Sequence, residues 1–131
     1  MDVDDLEREH SLLTAAHRYD DLRLRHTLLG SSVDDGSDVH LPMHEALELL
    51  ALGEVLTRKA AYGRQLAVRA ARSAGASWSQ IAQAGGVTKQ SAWEAHNAWI
   101  QAQVDAHQAR DHEGFTPEEE ASARRLAGAP D

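Results

Sequence analysis

Residues 76–97 read ASWSQIAQAGGVTKQSAWEAHN, and the punctuation of this segment constrains the fold more than any other feature of the chain. Ser77 is a good N-cap for a short helix running from Trp78 to about Ala84. Gly85–Gly86 then break that helix, with Gly86 at a turn position that favours positive φ. Thr88 supplies the cap of a second helix that nothing interrupts until about Asp111. Helices joined this tightly cross closely, and Ala82 is small enough to stand at the crossing. Ile81, Val87, Ala92 and Ala95 take the inward positions. They are expected to form a small core with the preceding helix through Leu66, Ala67 or Ala70, and Trp78 is expected to pack there too.

The rest of the chain is helical in pattern. Ala, Leu, Arg, Glu and Gln dominate, with few β-branched residues, so the fold class expected is all-α. Residues 3–29 read as one helix, with Leu6, Leu13, Leu24 and Leu28 near one stripe and Gly30 as its stop. Residues 30–41 form a polar loop. From Pro42 a helical pattern runs to Ala74, continuous or divided near Gly53 or Gly63, and ends at Gly75. Its stripe is Leu49, Leu52, Leu56, Ala60, Gly63, Ala67, Ala70 and Ala74. In the helix after Thr88, Ala92, Ala95, Trp99, Ala102, Ala106 and Ala109 fall on a heptad-like stripe. A last helix, Pro117 to Ala127, has Thr116 as N-cap and Glu118–Glu120 in its first turn. The segments expected are an N-terminal helical arm and acidic loop (1–41), a central domain (42–111), and a short C-terminal helix and tail (112–131).

Charge is uneven. The chain has a net charge of −8, which opposes binding to a polyanion. Between Val55 and Trp93, however, there is no acid. Of the 13 basic residues six lie in this window (Arg58, Lys59, Arg64, Arg69, Arg72, Lys89) and seven share the rest with all 21 acids, so the window is +6 and the remainder −14. A local basic footprint attracts phosphate whatever the whole-chain sum.

The phrase GASWSQIAQAGGVTKQSAW resembles the helix-turn-helix of bacterial DNA-binding regulators, including small actinobacterial-type proteins and sigma-factor region-four-like domains. The resemblance is strong over about twenty residues, and the arms at both ends lie outside it. It implies a trihelical core whose second motif helix enters the major groove N-terminus first. Carried over by position, Lys89, Gln90 and Glu94 would face base edges, Lys to guanine, Gln to adenine and Glu to cytosine. Ser77, Ser79, Gln80 and Ser91, with the cap residue Thr88, would stand near phosphates, and Arg69 and Arg72 would reach the backbone. Trp93 would lie on the sugar-phosphate backbone or close the core from outside. Gly85 departs from the family, which carries an apolar buried residue there.

Other chemistry has little footing. No cysteine is present, and no histidine pair has convincing ligand spacing, so neither a metal nor a cofactor is expected. No nucleophile elbow or phosphate loop appears, so the chain reads as a binding protein and not an enzyme. No apolar run approaches a membrane span and no secretory signal opens the sequence, which points to a cytoplasmic, nucleoid-associated protein. The expected partners are double-stranded DNA and a second copy of the chain. The alternative is a protein-interaction module, antitoxin-like or a sigma-factor-binding adaptor, that uses the same scaffold and the acidic arms.

Overall fold

The computed structural model describes residues 2–31 and 40–130. Six helices account for nearly all of them, with no strand among the described residues: α1 (Val3–Glu9), α2 (Leu12–Ser31), α3 (Met43–Ser73), α4 (Trp78–Gly85), α5 (Lys89–Ala109) and α6 (Pro117–Ala127). None is long and apolar enough to cross a membrane. The backbone forms two compact units, 1–62 and 63–131, which divide inside α3. The three segments read from the sequence therefore do not coincide with them. Most of the 30–41 loop lies outside the described residues.

The first unit corrects the single helix expected over 3–29. Ser11 interrupts it: the Thr14 N–H donates to Ser11 Oγ (3.1 Å) and the Ser11 N–H donates to Thr14 Oγ1 (2.9 Å). These side chains cap a fresh helix and so compete with continuation of the old one. Asp2 caps α1 through Asp5 N–H, and α2 passes through Gly30 to Ser31. The break rotates the expected stripe out of register. Leu6, Ala15 and Leu22 are buried with Leu52 and Val55 of α3, whereas Leu13, Leu24 and Leu28 are exposed. Helices α2 and α3 run antiparallel, fixed by a two-pronged Arg18–Glu48 pair (both contacts 2.9 Å) and by Arg25–Glu45 (2.7 Å). The Arg18 guanidinium holds the Glu48 carboxyl below the usual carboxylate range.

Helix α3 is unbroken through Gly53 and Gly63. The Pro42 carbonyl receives its first N–H groups, from Glu45 and Ala46. Gly75, at φ +97°, closes it, and the Ala76 N–H donates back to the Ala71 carbonyl (2.9 Å), a left-handed C-terminal cap. The expected stripe holds only as far as Leu56. Ala60, Gly63, Ala67, Ala70 and Ala74 are exposed, while Val68 and Ala71 face the second core. A three-or-four-residue pattern of alanines carries too little hydrophobicity to fix which face is buried.

In the second unit, Trp78, Ile81, Ala82, Ala92, Ile100, Phe115, Ala123 and Ala127 form the core. The inner edge of α5 is Ala92, His96, Ile100 and Val104, not the stripe through Ala95, Ala102 and Ala109, which are exposed. The buried residues follow a four-residue ridge, the row that neighbouring helices engage most often. Helix α6, capped by Thr116 and Glu119 as its sequence predicts, packs back along α5. The part of α5 that extends past its first turns is therefore covered within the same unit.

Candidate nucleic-acid interface

The two capping boundaries of α4 and α5 define the local geometry. Ser77 Oγ accepts from the Gln80 N–H (3.1 Å) and Gln80 Oε1 accepts from the Ser77 N–H (2.9 Å), a reciprocal capping box. At the far end Gly86 adopts φ +67°, and the Val87 N–H donates to the Ala82 carbonyl (3.1 Å). Two residues later Thr88 Oγ1 accepts from the Ser91 N–H (3.0 Å) and opens α5. The path from α4 to α5 is thus specified at every residue. Ile81, Ala82 and Ala92 are buried as expected, but Val87 is half-exposed and Ala95 is exposed. Contact with α3 runs through Val68 and Ala71, whereas Leu66, Ala67 and Ala70 are exposed. Gly85 is exposed, and a Cβ there would meet nothing nearer than Val87 Cγ2 at 3.8 Å. Gly85 lines the edge of a groove of about 330 Å³ with Val68, Ala71, Ile81 and Ala84.

Ser77, Ser79, Gln80, Thr88, Lys89, Gln90, Ser91 and Glu94 are all exposed. Lys89, Gln90 and Ser91 occupy the first turn of α5, whose leading N–H groups give that end a partial positive charge. Gln90 Nε2 donates to Glu94 Oε1 (2.8 Å), so these two side chains act as a pair on the outer face.

Three residues proposed from sequence as DNA contacts have structural occupations. Arg72 donates from Nε to the Leu126 carbonyl (3.1 Å) and from its terminal nitrogen to the Ala76 carbonyl (3.0 Å), with its guanidinium 5.2 Å from the Trp78 ring centre. Arg69 lies 5.3 Å over the Phe115 ring. Trp93 is half-buried, and its indole N–H donates to the Gly128 carbonyl (2.6 Å). With Trp78 donating to the Ala127 carbonyl (2.7 Å), three consecutive carbonyls at the end of α6 each receive a side-chain donor. These are the groups a helix C-terminus leaves without partners. Trp93 closes the core from outside, and Arg69 and Arg72 are turned inward.

The acid-free window is consequently not a uniform basic surface. In the first unit Arg58 bonds Asp4 (2.9 Å), Glu7 (3.1 Å) and Glu54 (3.2 Å). Lys59, Arg64 and Lys89 have no ion pair among the described residues, and of these Arg64 and Lys89 are exposed in the second unit.

Sequence reasoning missed His96. It is buried between Trp78 (centroids 5.7 Å apart) and Trp99 (5.4 Å), and its Nδ1 meets Gln65 Oε1 at 2.9 Å. An acceptor oxygen there places the proton on Nδ1. Burial, then the Arg69 and Arg72 charges, push its pKa below the ordinary histidine value. No grouping of three or more metal-ligating side chains occurs among the described residues. Comparison of the chain with protein-family models, curated proteins and solved structures finds no match.

Proposed function

We propose that residues 77–97 form a helix-turn-helix that binds double-stranded DNA, and that the protein is a sequence-specific transcriptional regulator acting as a homodimer. The observation that carries this reading is the first turn of α5: Lys89, Gln90 and Ser91 stand exposed on a helix start held by Thr88 and a left-handed Gly86. Such a helix would present these residues and the Gln90–Glu94 pair to base edges, each good bidentate contact contributing roughly 1–3 kcal/mol of discrimination. Ser77, Ser79 and Gln80 at the start of α4 would meet phosphate. A homodimer would bring two such helices to groove faces ~34 Å apart. The protein is then a cytoplasmic binding protein with no catalytic role.

Selection of bound DNA from a random pool tests the proposal. A consensus is expected, with binding that weakens as salt rises. Lys89→Ala with Gln90→Ala should abolish the sequence preference. Unchanged sequence-selective binding by that double variant would show the reading helix to be misassigned.

A protein-interaction role is the second reading, favoured by the inward Arg69 and Arg72 and by the −14 balance outside residues 55–93. A stoichiometric protein partner, together with no salt-dependent affinity for DNA, would decide for it.

A further inference from the structure

The first unit buries a small core and leaves an apolar face of α3 exposed. Inward lie Leu6, Ala15, Leu22, Leu52 and Val55. Outward on α3 lie Met43 (78% exposed), Leu50 (73%) and Leu47 (55%). Apolar surface of this kind on a small unit marks an interaction site. It borders a groove of about 850 Å³ whose walls include Tyr19, Leu47, Leu50, Gly53 and Thr57.

The order of side chains on this face says what fits it. Met43, Ala46, Leu50, Gly53 and Thr57 follow one another at alternating steps of three and four, the spacing of a helix–helix seam. Large and small residues alternate along it. A parallel second copy would set Leu50 against Leu50 and leave Gly53 facing Gly53. An antiparallel copy sets each large residue against a small one, so knobs meet holes and the layers close. The charged residues of the groove, Asp2, Arg23 and Glu54, carry both signs. A surface that pairs with itself needs both, because a single sign would repel its own copy. Arg23 lies over the Tyr19 ring (5.8 Å) and has no ion pair among the described residues.

We propose that this face is covered by a second copy of the chain, α3 against α3, antiparallel, with Leu50 of one copy set against Ala46 of the other. The proposal rests on the homodimer in the reading above but not on DNA binding, and its test does not use DNA.

The measurement is the molar mass of the full chain by light scattering across the micromolar range. The wild type is expected to be a dimer, and Leu50→Glu a monomer of half that mass with unchanged helical circular dichroism. Ala46→Leu separates fit from stickiness. It adds exposed apolar surface but fills the hole, so dimer affinity should fall at least tenfold. The cysteine-free chain also allows a test of direction. Antiparallel pairing in this register keeps the two Met43 positions roughly 17 Å apart, too far for a disulfide, so Met43→Cys should stay uncross-linked on oxidation. A monomeric wild type, a tighter Ala46→Leu dimer, or ready cross-linking through Cys at position 43 would each overturn the proposal. Loss of the dimer in Leu50→Glu with DNA selection absent even in the wild type would sink the DNA reading and leave this one standing.

Discussion

The His96 ring, stacked on Trp99 and tilted against Trp78, sits with two guanidinium groups nearby and no carboxylate bonded to it. The unfolded chain takes up a proton there near 6.5, the folded chain only at lower pH. Between those values the unfolded state binds the extra proton, so this group's contribution to stability is complete above about 6.5 and is lost as pH falls toward the folded value. Thermal unfolding followed against pH should show the midpoint dropping on the acid side, and His96→Gln should flatten that part of the profile. An unchanged profile in the variant would mean other groups carry the effect. Trp78 is the other decisive side chain. Replacing it with Phe keeps most of the packing but strands the Ala127 carbonyl, at a cost of roughly 1–3 kcal/mol in urea denaturation. Neither role was legible in the sequence. A histidine on a helix whose small residues are alanines reads as an outward residue, and the partner that satisfies an indole N–H 49 residues away is set by the fold alone.

At the scale of elements, chain punctuation was legible wherever a side chain satisfies its own backbone. Ser77, Thr88 and Thr116 cap the helices they were expected to cap, and Gly75 and Gly86 take the left-handed conformation at the expected ends. The adjacent glycines separate two effects. Gly86→Ala must hold a Cβ at φ +67° and should cost about 1–2 kcal/mol. Gly85→Ala sits in the last turn of α4 with open space around its Cβ and should gain about 0.5–1 kcal/mol. Denaturant midpoints that move in opposite directions confirm the turn; two losses would mean Gly85 is constrained. Thr88→Ala should cost about 1 kcal/mol. The α1–α2 boundary was not legible, because Ser11 caps in competition with a helix that the surrounding residues could equally well continue. The inner edge of α5 departs from the expected stripe after Ala92, since the position of α6, and not the alanine pattern, selects which ridge is buried.

For the whole molecule, charge is spent locally. Arg58 ties α1 to α3 through Asp4 and Glu7, so Arg58→Ala should speed hydrogen exchange of the α1 amides while α4–α6 keep their protection. Equal loss in both units would mean that they unfold as one. The same accounting alters the case for a polyanionic partner. A window of +6 in the sequence becomes, in the fold, one triply paired arginine, two arginines facing rings and three cations without ion pairs among the described residues. The support for DNA therefore narrows from a charged surface to the first turn of α5.

By itself the sequence determined the helical class, the helix starts at Ser77, Thr88 and Thr116, the stops at Gly75 and Gly86, and the short turn between α4 and α5, because those depend on backbone groups and side chains a few residues apart. It also placed Lys89, Gln90 and Ser91 at an exposed helix start. Only the tertiary structure decided which face each alanine-rich helix buries, where the first arm breaks, and that Arg69, Arg72 and Trp93 hold the core together. Those outcomes depend on side chains that meet across distant segments, where weak local preferences are overruled by whichever partner arrives.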